Sequence, residues 1–102
     1  MVNFNIKNDP AEALTMPSIF YTDPETYQRT ISDIFSNSWQ FITHASTLRE
    51  NNVHPFTLLK DSLNEPLVIT KNDEEMICLT NVCTHRAHIV CQKAENASRL
   101  QC

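Results

Sequence analysis

The stretch Asn81 to Cys91 reads NVCTHRAHIVC. Cys83, His85, His88 and Cys91 fall within nine positions of it, although the whole chain has only four cysteines and four histidines. The next cysteine, Cys102, is the final residue. A thiolate and an imidazole two residues apart, as in Cys83-Thr84-His85, can both bend from a turning backbone toward one small inorganic centre. They cannot fill a coordination sphere by themselves, so further donors have to come from elsewhere in the chain.

Four residues are candidates for that second contribution, and each has a plainer reading. Cys78 lies among apolar residues and reads as a buried small hydrophobe. Cys91 follows Ile89-Val90 and reads equally as a core thiol. His88 reads as a surface or packing histidine, and Cys102 closes what looks like a short strand after Arg99-Leu100-Gln101. Zinc sites usually show a tighter second pair, C-x-x-C or H-x₃-H, and neither occurs here. On spacing alone, a metal centre and a metal-free loop both stay open.

Outward from this stretch, the bulk properties narrow the classes. A chain of 102 residues, 41% apolar and 20% charged, suits one small folded domain and excludes a disordered tail. No window approaches the run of about 18 apolar residues that a membrane span needs. The N-terminal MVNFNIKNDP has one lysine and no apolar run, unlike a secretory signal, so a cytoplasmic location with reduced thiols is expected. The net charge is −4 with no Lys/Arg cluster, so neither nucleic acid nor an anionic membrane is an expected partner. Glycine is absent, so any position that needs a positive φ has to be filled by Asn or Asp, or avoided.

Residues 1–16 read as an extended arm. A helix is predicted from about Pro24 to Asn37: Thr22 or Asp23 caps it, Pro24 suits its first turn, and Glu25 sits three after Thr22 as in a capping box. Tyr27, Ile31, Ile34 and Phe35 follow at helical spacing. Trp39 to Thr43 reads as a short strand, with Trp39, Phe41 and the helix face as packing surface. Phe56–Leu59 is a further strand. Leu67–Thr70 and Met76–Leu79 flank the turn KNDEE as an antiparallel hairpin, with Asn72 and Asp73 as turn residues. Cys83 and His85 then sit on the loop that leaves the hairpin, where a rigid scaffold can aim several side chains at one point.

Cys83-Thr84-His85-Arg86 resembles the first half of the Rieske [2Fe–2S] motif, C-x-H-R followed by glycine, whose second half, C-P-x-H-G, comes some sixteen residues later. Residues 86 to 101 separate His85 from Cys102, the interval that lets Cys102 open that second half. Upstream, MPSIFYTDPETYQRTISDIFSNSWQFITHAS (16–46) is similar to the N-terminal segment of the α subunit of Rieske non-haem iron oxygenases, the aromatic-ring-hydroxylating and choline-monooxygenase-like family. Asn64 to Ile69 resembles a strand of that family, and Leu79 to Cys83 its approach to the cluster. The chain departs from the motif at Ala87, where the family has glycine; a positive φ there would strain an alanine.

The resemblance implies a mainly β chain: an incomplete Rieske iron–sulfur antiparallel β fold in residues 39–102, truncated at the second cluster motif, preceded by an N-terminal arm and one α-helix in residues 1–38. It implies that Cys83, His85 and Cys102 bind a [2Fe–2S] cluster, with a fourth ligand, a histidine, lying beyond this chain. It implies no catalytic residue here, because the mononuclear Fe(II) that activates oxygen belongs to a C-terminal domain; His44, His54 and His88 do not substitute for its ligands. It further implies a ferredoxin or flavin reductase as electron donor, a homotrimer of full-length subunits, and a 102-residue piece that does not turn over by itself. In the same frame Arg86 orients the loop or faces solvent, Ile89 and Val90 pack beneath it, and the acceptor triplet Asn96-Ala97-Ser98 carries no meaning in a cytoplasmic chain. The competing readings are a small Rieske ferredoxin and a structural zinc or metal-free module using Cys83, His85, Cys91 and Cys102.

Overall fold

The computed structural model describes residues 4–73 and 75–102. They form two compact units, the first running to Gln40 and the second spanning Phe41–Cys102. No helix among the described residues is long and apolar enough to cross a membrane.

In the first unit, helix α1 (Ile19–Thr22) is a single turn that leads directly into α2 (Pro24–Arg29). Asp23 is the cap of α2: its Oδ2 accepts from the Thr26 N–H at 2.8 Å and from the Thr26 hydroxyl at 2.7 Å. These two bonds hold the Asp23 carboxyl below the usual carboxylate range. Pro24 takes the first helical position, where its missing N–H has no cost. The winding continues to Asn37 as predicted, but α geometry ends at Arg29; a π turn (Thr30–Ile34) and a 3₁₀ turn (Phe35–Asn37) complete it. The cause is the run of short polar side chains. Thr30 Oγ1 donates to the Thr26 carbonyl at 2.8 Å and Asn37 Nδ2 donates to the Ser32 carbonyl at 2.9 Å. Such side-chain bonds compete with the i→i−4 ladder. In the arm, Asp9 makes a turn, its Oδ1 accepting from the Ala11 N–H at 2.9 Å; Met1 to Asn3 of the predicted arm lie outside the described residues.

The second unit is a three-stranded antiparallel sheet in the order β1 (Val53–Leu58), β2 (Glu65–Lys71), β3 (Met76–Thr80). The β2–β3 hairpin is the predicted one, with Leu67 opposite Thr80 and Lys71 opposite Met76. At its turn, Asn72 Oδ1 accepts from the Glu75 N–H at 2.8 Å; Glu74 of the KNDEE segment lies outside the described residues. Strand β1 starts three residues earlier than expected and contains Pro55, opposite Val68. A proline fits there because β1 is an outer strand and its missing N–H has no ladder to serve.

Central β2 holds the core. Val68 is 0% and Val53 2% exposed, and Cys91 closes the cluster at 2%, with Ala97 and Leu100 against it. Several apolar readings of the sequence are corrected here. Trp39 to Thr43 is not a strand, and Trp39 and Phe41 are exposed rather than packed; among the described residues no strand pairs with this segment. Arg99–Cys102 is likewise not a strand, and Cys78, on the outer strand β3, is exposed rather than buried.

Without glycine, the chain still adopts positive φ at four described positions: Asp61 and Asn64, as their short polar side chains permit, but also Leu59 and Ala87. The expectation that Asn and Asp take every such position fails at the last two, where hydrogen bonding outweighs strain. The Leu59 carbonyl accepts from the N–H groups of Ser62 and Asn64, and the Ala87 N–H donates to Cys83.

Candidate metal centre

The loop after β3 is fixed at its base by Asn81, which is only 3% exposed. Its N–H donates to the Pro66 carbonyl at 2.9 Å, extending the sheet by one residue, and its carbonyl accepts from Val90 at 3.0 Å. The side-chain amide faces the Cys91 backbone: Nδ2 donates to the Cys91 carbonyl at 2.7 Å and Oδ1 accepts from the Cys91 N–H at 2.8 Å. A buried amide with every hydrogen-bonding group matched fixes the spacing between the outgoing and returning chain.

Above this clamp, Val82 and Ile89 form a bridge, and Cys83 and His88 close the loop through Cys83 N–H to the His88 carbonyl at 2.8 Å. The Cys83 carbonyl accepts from the Ala87 N–H at 2.9 Å, a single helical turn ended by a left-handed residue, Ala87 at φ 53°. That turn directs the N–H groups of His85 and Arg86 at the Cys83 sulfur. They hold its thiol below the ordinary cysteine range, and Cys102 adds to the effect.

Cys102 arrives from the other end of the unit along an anchored path. Val53 and Glu95 exchange two backbone hydrogen bonds of 3.0 and 3.1 Å. The Asn52 side chain pairs with the Ala97 backbone at 2.9 Å in both directions. Asn96 accepts from the Asn52 N–H at 3.0 Å and donates to the Glu50 carbonyl at 2.9 Å. With Ala97 and Leu100 on the core, the last residues reach the loop.

The sulfurs of Cys83 and Cys102 lie 3.6 Å apart, and His85 Nδ1 is 2.8 Å from Cys83 Sγ. All three donor atoms fall within 4.8 Å of one another. The Cys102 thiol is held above its ordinary range by its hydrogen bond with Cys83 and then by that group's charge. Two sulfurs bound tetrahedrally to one metal ion at about 2.3 Å would sit about 3.8 Å apart, so the observed spacing fits a shared ion with little movement. Thiolates and an imidazole are also the soft and borderline donors that iron–sulfur and zinc centres take.

Among the described residues, the remaining candidates do not join the group. Cys91 is in the core and its thiol donates to the Lys93 carbonyl at 3.0 Å. Cys78 lies mid-strand opposite Ile69. His88 shares the open cleft with the three donors, flanked by Ile89 and Val90; Ile89 is 43% exposed and so lines this cleft rather than packing beneath the loop. His44 is occupied elsewhere, its Nδ1 accepting from the Ser46 N–H at 3.2 Å. The sequence reading missed Asn52, Asn81 and Asn96, whose side chains hold the two sulfur-bearing segments in place. Only Asn81 left a trace in the sequence, as a polar residue between the end of an apolar strand and Val82.

Sheet and loop together define a small β domain that presents two thiols and one imidazole at a single point. The chain belongs to the Rieske [2Fe-2S] domain family, whose profile matches residues 38–102. It is 29% identical over 85 residues to the carnitine monooxygenase oxygenase subunit of Escherichia coli K12, covering 82% of this chain and 22% of that protein. It is 36% identical over 87 residues to the chloroplastic choline monooxygenase of Beta vulgaris, covering 85% and 19%. It is 31% identical over 103 residues to the large oxygenase component of the naphthalene 1,2-dioxygenase system of Pseudomonas aeruginosa, covering 99% and 22%. The chain thus spans about a fifth of the length of these relatives. No solved structure matches it significantly.

Proposed function

We propose that this chain is the Rieske portion of an oxygenase α subunit, with residues 39–102 forming an incomplete cluster domain behind an N-terminal arm and helix. The observation that carries the reading is the convergence of Cys83 Sγ, Cys102 Sγ and His85 Nδ1 within 4.8 Å on a Rieske-family scaffold. Cys83 and Cys102 would hold one iron through sulfur and His85 would hold the second through Nδ1. When bound, such a cluster supplies a one-electron relay, and replacing two thiolates by imidazoles raises its potential from roughly −400 mV to roughly −150 mV or above.

The loop's own residues prepare that role. The His85 and Arg86 N–H groups stabilise negative charge on Cys83 before any metal arrives, because a metal takes the thiolate and not the thiol. The same donors lower the electron density on sulfur afterwards, which also favours the reduced state. Arg86 adds positive charge at the rim of the cleft. In the full-length protein, electrons from a ferredoxin or flavin reductase would leave this domain for a mononuclear Fe(II), where dioxygen hydroxylates an organic substrate. The similarity to monooxygenase and dioxygenase components supports this role. A homotrimer of such subunits is part of the same reading.

Three donors leave one cluster position to be filled from outside the described group, so the 102-residue chain by itself is expected to retain little [2Fe–2S] and to be inactive. Anaerobic reconstitution with iron and sulfide tests this. The expected product loses its visible absorption on desalting. A stable Rieske-type EPR spectrum from the monomeric chain would refute the three-donor argument. Zinc in the purified chain without acid-labile sulfide would overturn the cluster reading in favour of a zinc module.

A further inference from the structure

We propose that Cys83 and Cys102 form a peroxide-driven disulfide when no metal is bound, a reversible modification that closes the donor set. The geometry is already near the product. The two sulfurs are 3.6 Å apart, both residues are accessible, and neither is in a disulfide. A disulfide needs a sulfur separation of about 2.05 Å, so each sulfur has to move by less than about 1 Å. Cys102 is exposed, whereas Cys83 is half-buried and held by the turn to Ala87.

The other thiols are poorly placed to compete. Cys91 is buried with its thiol on the Lys93 carbonyl. Cys78 is fixed within the β2–β3 ladder opposite Ile69.

The chemistry balances with hydrogen peroxide as the only co-reactant. The sulfur of one cysteine attacks a peroxide oxygen; the O–O bond breaks, a sulfenic acid forms and one water leaves. The second sulfur attacks the sulfenic sulfur, the S–O bond breaks, its hydroxyl leaves as a second water, and the S–S bond forms. Two thiols lose two electrons in all, and the peroxide gains them. A dithiol reductant reverses the step. Because metals bind thiolates, the oxidised pair withdraws two of the three donors; this consequence rests on the cluster reading, whereas the disulfide itself does not.

The test uses the full 102-residue chain, stripped of metal, reduced, and exposed to equimolar hydrogen peroxide before alkylation and mass spectrometry. The expected product is about 2 Da lighter than the reduced chain before alkylation, takes up two alkyl groups where the reduced chain takes four, and carries the link from Cys83 to Cys102 in at least about tenfold excess over every other pairing. Trypsin leaves Cys78 and Cys83 together in peptide 72–86 and Cys102 in peptide 100–102, so fragmentation between Cys78 and Cys83 identifies the linked sulfur. Cys102→Ser is expected to stop at a trapped sulfenic acid. Links spread evenly among the four cysteines, or joined mainly through Cys78, overturn the proposal. Cobalt(II) added alone separates the two readings. The reduced chain is expected to show sulfur-to-cobalt absorption that peroxide abolishes. If the link forms but the reduced chain takes no cobalt, the disulfide stands and the donor-set reading falls.

Discussion

Replacing Asn81 by alanine tests whether one buried amide sets the loop. The side chain makes two hydrogen bonds to Cys91, of 2.7 and 2.8 Å, and both residues are almost fully buried. Truncation leaves the N–H and carbonyl of Cys91 without partners in a place water does not reach. Each orphaned group costs about 1–3 kcal/mol, so Asn81→Ala is expected to lose about 2–5 kcal/mol. A unit of this size has a total stability of roughly 3–9 kcal/mol, so the loss is a large part of the whole. Urea unfolding followed by far-ultraviolet circular dichroism measures it; Trp39 belongs to the other unit and its fluorescence is a poor reporter. Asn81→Asp adds a sharper readout. It keeps the acceptor for the Cys91 N–H but turns an oxygen toward the Cys91 carbonyl, where only a protonated carboxyl can donate. Its folded pKa therefore rises above the unfolded value. The variant should be destabilised above that raised pKa and regain stability as pH falls through it, a dependence a plain cavity does not give. An Asn81→Ala midpoint shift worth under about 0.5 kcal/mol, with a flat pH response in Asn81→Asp, refutes the clamp.

Two further outcomes follow from the same loop. Ala87→Gly removes a left-handed strain of about 1–2 kcal/mol at φ 53° and returns about 0.5–1 kcal/mol of backbone entropy to the unfolded chain. A net gain of about 0.5–1 kcal/mol in urea unfolding is expected, and a loss would show that the turn carries no strain. Cys83 has its pKa lowered by the His85 and Arg86 N–H groups, whereas partial desolvation against the sheet raises the exposed Cys78 and the hydrogen bond with Cys83 raises Cys102. A depressed acid ionises earlier as pH rises, so its stabilisation is present above the unfolded value and lost as pH falls through the folded one. Iodoacetamide, which reacts with thiolates, is expected to label Cys83 first, with a rate that rises at lower pH than that of Cys78. Equal labelling of Cys78 and Cys83 would contradict the assigned hydrogen bonds.

The parts of this fold that were legible in the sequence are those with short-range causes. The β2–β3 hairpin was readable because two short apolar runs flank an Asn-Asp turn within a few residues of each other. The helical start was readable because Asp23-Pro24 is a local cap. The Cys83–His85 pair was readable for the same reason. The strand over Trp39–Thr43 was not, because alternation says nothing about whether a partner strand exists. The loss of α geometry after Arg29 escaped because the helix was read from the spacing of Tyr27, Ile31, Ile34 and Phe35, which says nothing of the Thr30 and Asn37 side chains that compete for backbone carbonyls.

Cys102 shows the limit most clearly. It meets Cys83 across 19 residues, and closing such a segment costs on the order of 2.6 kcal/mol of chain entropy. The contacts between Cys83 and Cys102 are solvent-accessible and too weak to meet that cost. It is offset farther down the segment by the Val53–Glu95 bridge and by Asn52, whose bonds to Ala97 span 45 positions. The donor set is therefore held from its base, by asparagines and a valine that touch none of its atoms. Removing the Asn52 side chain should separate the two sulfurs without altering either, which makes the thiol pair a reporter of the sheet beneath it.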